Sequence, residues 1–175
     1  MNAFSIDTTR LNLLSLSMEE LHFYLEQPDR FERSNIPMIS RRILTENLER
    51  AIKMKIEKMK IADEMDHPWY TYWLIQIKED GFGAGMVGFK GVPNQDGEVE
   101  IGYGIDPQYR GRGFMTEAVH ALIAWAFQHP QCRSVIAPGT ERTNIASNRV
   151  LKNVGMEIYQ ETEDKISWRI DKSMS

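Results

Sequence analysis

Apolar positions along the 175-residue chain follow two periods that alternate in a definite order. In TTRLNLLSL, Leu11 and Leu13 alternate with polar residues and predict a first strand that leaves Arg10 exposed. Ser17 and Glu20 form an S-x-x-E capping box flanked by Leu16 and Leu21 at staple positions, which predicts a helix from Met18 to about Gln27, ended by Pro28. Leu44, Leu48, Ile52, Ile56 and Met59 recur at helical spacing and predict a long amphipathic helix running to about Ile61, with Lys53, Lys55, Lys58 and Lys60 on a solvated face. Beyond His67-Pro68 the aromatic and β-branched run WYTYWLIQIK predicts a strand. Met86 to Lys90 and Val99 to Ile105 follow as two more, separated by the turn residues Pro93, Asn94, Asp96 and Gly97. Met115, Ala118, Val119, Leu122, Ile123 and Ala126 then mark a helix stopping near His129-Pro130. Arg133 to Ala137 reads as a short strand, Asn144 to Val154 as a helix closed by Gly155, and Met156 to Gln160 with Lys165 to Ile170 as a terminal strand pair. The order β, α, α, β, β, β, α, β, α, β, β predicts a mixed α/β sheet. With no repeat or linker tract, residues 1–175 are expected to form one domain.

Composition narrows the function classes. Hydrophobic residues make up 42% of the chain, enough for one substantial core. Lys plus Arg total 21 against 25 Asp plus Glu, a net charge of -4, which argues against a protein built to coat nucleic acid. One cysteine, Cys132, leaves no internal disulfide and fits a reducing compartment, so a cytoplasmic protein is expected, with Cys132 read as a small buried side chain. The start MNAFSIDTTRLNLL has no apolar signal core and no run reaches membrane-spanning length, so no membrane association is expected. His22, His67, His120 and His129 have no metal-ligand spacing, and no metal is expected.

Two glycine-rich segments invite chemistry. Gly83-Ala84-Gly85-Met86-Val87-Gly88 spells G-x-G-x-x-G, but a dinucleotide fingerprint needs a helix to follow it and MVGFK is patterned as a strand, so the segment is read as a hairpin turn. YGIDPQYRGRGFMTEAV has the right context: a strand ends at Ile105, a turn passes through Asp106-Pro107, and QYRGRG runs straight into a helix. Unpaired N–H groups at a helix start bind anions, Gly111 and Gly113 let backbone approach a phosphate, and Arg110 and Arg112 add charge. A βα turn carrying surface arginines is the plainer alternative.

Gln108-x-x-Gly111-x-Gly113 resembles the acetyl-CoA-binding motif of the GNAT acetyltransferase superfamily, and the element order is similar to that family's throughout. TTRLNL and NIASNRVLKNVGM resemble the RimJ/RimL branch, whose members often read T-x-R-L near the start and N-x-x-S-x-x-V-x-x-x-x-G-F near the end. The resemblance implies a twisted sheet that splays between its fourth and fifth strands, with Val99 to Ile105 and Arg133 to Ala137 as parallel neighbours joined by the Met115 helix. It implies acetyl transfer from acetyl-CoA to an amine by direct attack. Backbone at Tyr103, Gly104 and Ile105 would hold the pantetheine arm, and Gln108, Arg110, Gly111, Arg112, Gly113, Phe114 and Met115 would surround the pyrophosphate through N–H groups from Arg110 onward. Asn144 would contact pantetheine.

The chain departs from the family in one informative place. Many relatives carry a tyrosine, the acid for the leaving thiolate, where this chain has Leu151, and Ser147 matches the branch's serine near the sulfur. An ordinary first-turn helix residue is the other reading of Ser147. Glu100 is the candidate base, on a strand face with Glu98, Gly102 and Gly104, directed either to a cleft or to solvent. The expected acceptor is the α-amine of a protein or peptide, as in ribosomal-protein acetylases. A small-molecule amine or antibiotic, or a silent acyl-CoA-binding module, is the alternative, and a homodimer stays open.

Overall fold

In the computed structural model, residues 4–26 and 38–173 are described. Eight strands form one sheet in the order β1-β2-β3-β4-β5-β6-β8-β7: β1 (Ser5–Asp7), β2 (Leu11–Ser15), β3 (Trp73–Ile77), β4 (Gly83–Phe89), β5 (Glu98–Ile105), β6 (Ser134–Glu141), β7 (Glu157–Glu161) and β8 (Lys165–Asp171). Neighbours are antiparallel except β5 and β6, which run parallel and are joined through α4 (Phe114–Phe127). The other helices are α1 (Met18–Glu26), α2 (Glu46–Ile61), α3 (His67–Tyr70) and α5 (Ile145–Asn153).

Two apolar clusters cover the two sheet faces. Val87 and Phe89 of β4 and Val99 and Ile101 of β5 meet Met115, Ala118, Val119, Leu122 and Ile123 of α4, while Leu74 of β3 and Met86 of β4 meet Ile52, Ile56 and Met59 of α2 and Leu21 and Tyr24 of α1. Period-2 alternation thus divides each central strand between two helical layers. The expected capping box is formed: Glu20 N–H donates to Ser17 Oγ at 3.2 Å and Ser17 N–H to Glu20 Oε2 at 2.6 Å. Gln27 and Pro28, the predicted end of α1, lie outside the described residues.

Four readings are corrected. WYTYWLIQIK does not begin as a strand, because Pro68 is accommodated in the first turn of α3 and the strand starts only at Trp73. The Gly83–Gly88 segment is a buried strand rather than a hairpin turn; a Cβ at Gly88 would lie 2.6 Å from the Thr71 carbonyl, so glycine here serves close packing. A short first strand, Ser5–Asp7, precedes the predicted one; Ile6, packed against the core, is its one apolar residue, too few to show a period. Lys55 leaves the solvated face altogether: only 7% exposed, its ammonium donates to the carbonyls of Tyr70, Thr71 and Phe89. A long aliphatic stem allows a lysine to take a core position when its head finds acceptors.

Candidate active site

Parallel pairing of β5 with β6 covers only Glu98, Val99 and Glu100, opposite Ser134, Val135 and Ile136. Beyond Ala137, Pro138 and Gly139 interrupt the pairing of β6 with β8 before it resumes at Thr140, as a proline removes a ladder donor, and the ladder of β6 with β5 does not continue past Glu100. Lys90 N–H donates to Glu100 O and Asp106 N–H to Ala84 O, which assigns the even-numbered residues of β5 to the β4 ladder. Tyr103 and Ile105 therefore direct their N–H and C=O groups toward the widening gap. On the other face, Gly104, the next-to-last residue of this central strand, is exposed, and a Cβ there would meet nothing within 4 Å. Open space over the end of β5, beside an unpaired strand edge, is what an extended ligand needs.

The loop after β5 forms the second part. Asp106, 2% exposed, accepts from Gln108 N–H at 2.8 Å and from the Ser40 hydroxyl at 2.5 Å, with Arg42 at 3.7 Å. Burial opposes its ionisation, but Ser40, Gln108 and the charges of Arg42 and Arg110 outweigh it and hold the carboxyl below its usual range. Tyr109 stacks on Phe82 at 5.6 Å and donates to Asp80 at 2.7 Å, fixing the loop's outer side. Gly111 and Gly113 have φ of +73° and +80°, values that L side chains rarely adopt. The N–H groups of Gly111 through Thr116 donate to no acceptor among the described residues, and α4 has no side-chain cap. Arg110 N–H differs from expectation in being taken by Pro107 O at 3.3 Å, so the row of open donors begins at Gly111. Gln108, Arg110 and Arg112 are exposed, while Phe114 and Met115 are core side chains that offer only backbone. Arg112 lies 3.6 Å from Glu79 and stacks over Phe114 at 4.8 Å. Six N–H donors beside two arginines suit a diphosphate in number and charge.

Across the gap, Asn144 caps α5 by accepting from Ser147 N–H at 3.1 Å. Tyr103 spans the split, its hydroxyl donating to Ser147 O at 3.3 Å, and burial pushes the phenol up to about 12. Leu151, at the position where the family resemblance implies an acid, is 1% exposed and part of the core. Glu100 occupies the last paired position at the fork, ion-paired with Lys90. Alternation puts Glu100 on the α2 side and Tyr103 on the α4 side, so the structure brings Tyr103, Asn144 and Ser147 together and sets Glu100 across the sheet from them. Sequence reasoning passed over Ser40 and Asp106, because an Asp-Pro pair reads as a turn and nothing local announces a partner 66 residues away.

Comparison with known proteins gives the family. Residues 10–157 match the model of the acetyltransferase (GNAT) domain. The uncharacterized N-acetyltransferase YjdG of Bacillus subtilis (strain 168) is 29% identical over 99 residues, 57% of this chain and 58% of that protein. The chain spans about half the length of the curated relatives that it matches. Among solved structures, the ribosomal-protein-S5-alanine acetyltransferase of Vibrio fischeri superposes with a TM-score of 0.67 at 19% identity, covering 97% of each chain. The ribosomal L7/L12 alpha-N-protein acetyltransferase RimL, solved in complex with coenzyme A, gives 0.64 at 16% identity, covering 96% of this chain and 98% of that one. At these identities the likeness is one of fold. Among the described residues no helix is long and apolar enough to cross a membrane.

Proposed function

The chain belongs to the GNAT acetyltransferase family, and from that membership we propose that it transfers the acetyl group of acetyl-CoA to a primary amine, preferring the N-terminal α-amine of a protein or peptide. The observation that carries this reading is the row of open N–H donors from Gly111 to Thr116, continuous with the unpaired edge of β5 at Tyr103 and Ile105. The loop takes the diphosphate, and the β5 edge pairs with the pantetheine amides as an added strand. The same edge directs N–H groups toward the thioester carbonyl, where negative charge grows as the amine attacks.

The C–N bond forms, the C–S bond breaks, the amine gives up a proton and the thiolate takes one. Glu100 at the fork is the candidate acceptor of the amine proton, directly or through water, and must first exchange its pairing with Lys90. Ser147 is the candidate hydrogen-bond donor to the sulfur, because Leu151 has no proton to give. Preference for an α-amine follows from acidity: an α-amine of pKa about 7.7 to 8.0 is partly free at neutral pH, whereas lysine at about 10.4 is almost wholly protonated. A site whose one carboxylate is already paired suits the more acidic amine. The ribosomal-protein acetyltransferases among the structural neighbours support the same choice.

The test is to incubate the protein with acetyl-CoA and peptides carrying both a free N-terminus and an internal lysine, following free thiol and locating the acetyl group by mass spectrometry. Modification at the N-terminus is expected, with a rate rising between about pH 6 and 8 as the acceptor deprotonates. Acetylation confined to lysines would refute the α-amine preference. Turnover on small amines alone would move the chain to the small-molecule class, and binding without turnover would make it an acyl-CoA-binding module.

A further inference from the structure

Glu117 stands where an anion site should tolerate it least. A carboxylate in the first turn of α4 favours the helix dipole when the N-terminus is vacant, yet it repels a diphosphate arriving at that same end. The structure neutralises it in a particular way. Glu117 Oε1 accepts from the Thr8 hydroxyl at 2.7 Å and from Arg10 N–H at 2.8 Å, and Oε2 accepts from Arg10 Nε at 2.7 Å. Burial works against this carboxylate, but those donors and the Arg10 charge hold it ionised, below its usual range.

Held there, the guanidinium does something further. Arg10 Nη1 donates to the carbonyl of Arg112 at 2.8 Å, and the group lies over the Phe114 ring at 4.7 Å. In a planar trans peptide the C=O of one residue and the N–H of the next point to opposite sides. Fixing the Arg112 carbonyl on Arg10 therefore turns the Gly113 N–H away from Arg10, into the row of open donors. Gly113, at φ +80°, adopts either sign of φ at little cost, so its own backbone does not prevent this peptide from turning over. Turned over, it would present a carbonyl oxygen to a phosphate.

We propose that Arg10 is a positioning residue for the acetyl-CoA diphosphate loop, acting through the Arg112 carbonyl, with Glu117 and Thr8 holding it in place; this rests on the reading of that loop given above. Arg10 does not act as a phosphate ligand, because its charge is cancelled by Glu117 and two of its three nitrogens are committed to protein acceptors. The T-x-R-L signature then has a physical content: Thr8 and Arg10 reach 109 and 107 residues along the chain to fix the first turn of the βα crossover helix.

Calorimetry with coenzyme A and with pantetheine, which lacks the diphosphate, tests the assignment. In Arg10→Met the dissociation constant for coenzyme A should rise about tenfold or more while that for pantetheine stays within twofold, and the KM for acetyl-CoA should rise by more than kcat falls. Arg10→Lys should be nearly as impaired as Arg10→Met, because one ammonium cannot bridge Glu117 and the Arg112 carbonyl as a fork does. The salt dependence of coenzyme A binding should keep its slope in Arg10→Met and flatten in Arg112→Ala, since only a cation facing the phosphates releases counterions. Thr8→Val, which removes the hydroxyl bond to Glu117 Oε1 and leaves both charges in place, should show the same selectivity more weakly and serves if Arg10→Met fails to fold. Full affinity in Arg10→Lys, or equal losses for coenzyme A and pantetheine, would overturn the inference. A wild-type protein that does not bind coenzyme A would overturn the loop reading and this inference with it.

Discussion

Lys55 offers the sharpest test of how the fold is balanced. Burial, with the charges of Lys58 and Lys90, pushes its ammonium down to about 7, whereas in the unfolded chain a lysine titrates near 10.4. Between these values the unfolded state binds a proton that the folded state has released, so the unfolding free energy contributed by this group rises with pH across the window from about 7 to 10. The limit is about 1.4 kcal/mol per pH unit, or about 2 to 3 kcal/mol between pH 7.5 and 9.5. Lys55→Met removes the titration. The absolute stability of that variant mixes a relieved desolvation with three carbonyls left without their donor, at Tyr70, Thr71 and Phe89, so the slope is the observable. Urea unfolding of both proteins at pH 7.5, 8.5 and 9.5 should show the wild type gaining on the variant by about 1 M in midpoint over the range, for a slope m of about 2 kcal/mol/M. Cys132, which burial pushes up to about 11, acts in the opposite direction above about 8.5, but it is common to both proteins and cancels in the difference. Parallel pH dependences would refute the reasoning: the three carbonyls would then be strong enough acceptors to keep the ammonium charged inside the fold.

The other predictions concern the site. Gly111→Val forces a β-branched residue into φ +73°, at a cost of about 1 to 2 kcal/mol, but meets no neighbour within 4 Å; the protein should stay folded while its calorimetric affinity for acetyl-CoA drops at least tenfold, and Arg112→Ala should lose less. Ser147→Ala should lower kcat more than it changes the KM for acetyl-CoA if the hydroxyl meets the sulfur, and a wild-type kcat would make the serine structural. Asp106→Ala removes the acceptor shared by Ser40 and Gln108 and should cost about 1 to 3 kcal/mol by denaturant titration at pH 7, a difference that shrinks as pH falls through the depressed carboxyl pKa because the wild type then loses the same charge. Glu100→Gln should flatten the rise in rate between pH 6 and 8 only if Glu100 accepts the amine proton, and an unchanged profile would assign that rise to the acceptor.

Much of the fold was legible because burial and period coincide: the α4 stripe, the Ser17 capping box and the alternation of β5 each write one physical demand into local spacing. The failures share a cause. Lys55 carries the charge of a surface residue, and only the three carbonyls converging from the end of α3, its capping residue Thr71 and the end of β4 make its burial tolerable. Trp69 and Tyr70 have strand-like side chains but sit in a turn of helix, where Trp69 packs against Trp125 and Phe89, a tertiary reward no window of sequence contains. The strand glycines of β4 were mistaken for turn residues because their reason, backbone passing within van der Waals distance, lies on a different segment.

The same division explains what could be seen of the site. QYRGRG announces itself because an anion loop is built from consecutive backbone groups, and its glycines must stand at fixed intervals before a helix. The groups that hold such a loop obey no spacing. Ser40 reaches Asp106 from the segment before α2, Asp80 reaches Tyr109 from the turn before β4, and Arg10 reaches Arg112 and Glu117 from the turn between β1 and β2. These three attachments come from separate elements and converge on seven consecutive positions, Asp106 to Arg112, and on the first turn of α4. A loop that must be ready for its ligand with no hydrogen bonds along its N–H row cannot hold its own shape, so its rigidity has to be supplied through side chains and carbonyls facing away from that row. Loosening one attachment should therefore weaken acetyl-CoA binding with the other two intact, whereas tethers that merely duplicated one another would let any single loss pass unnoticed.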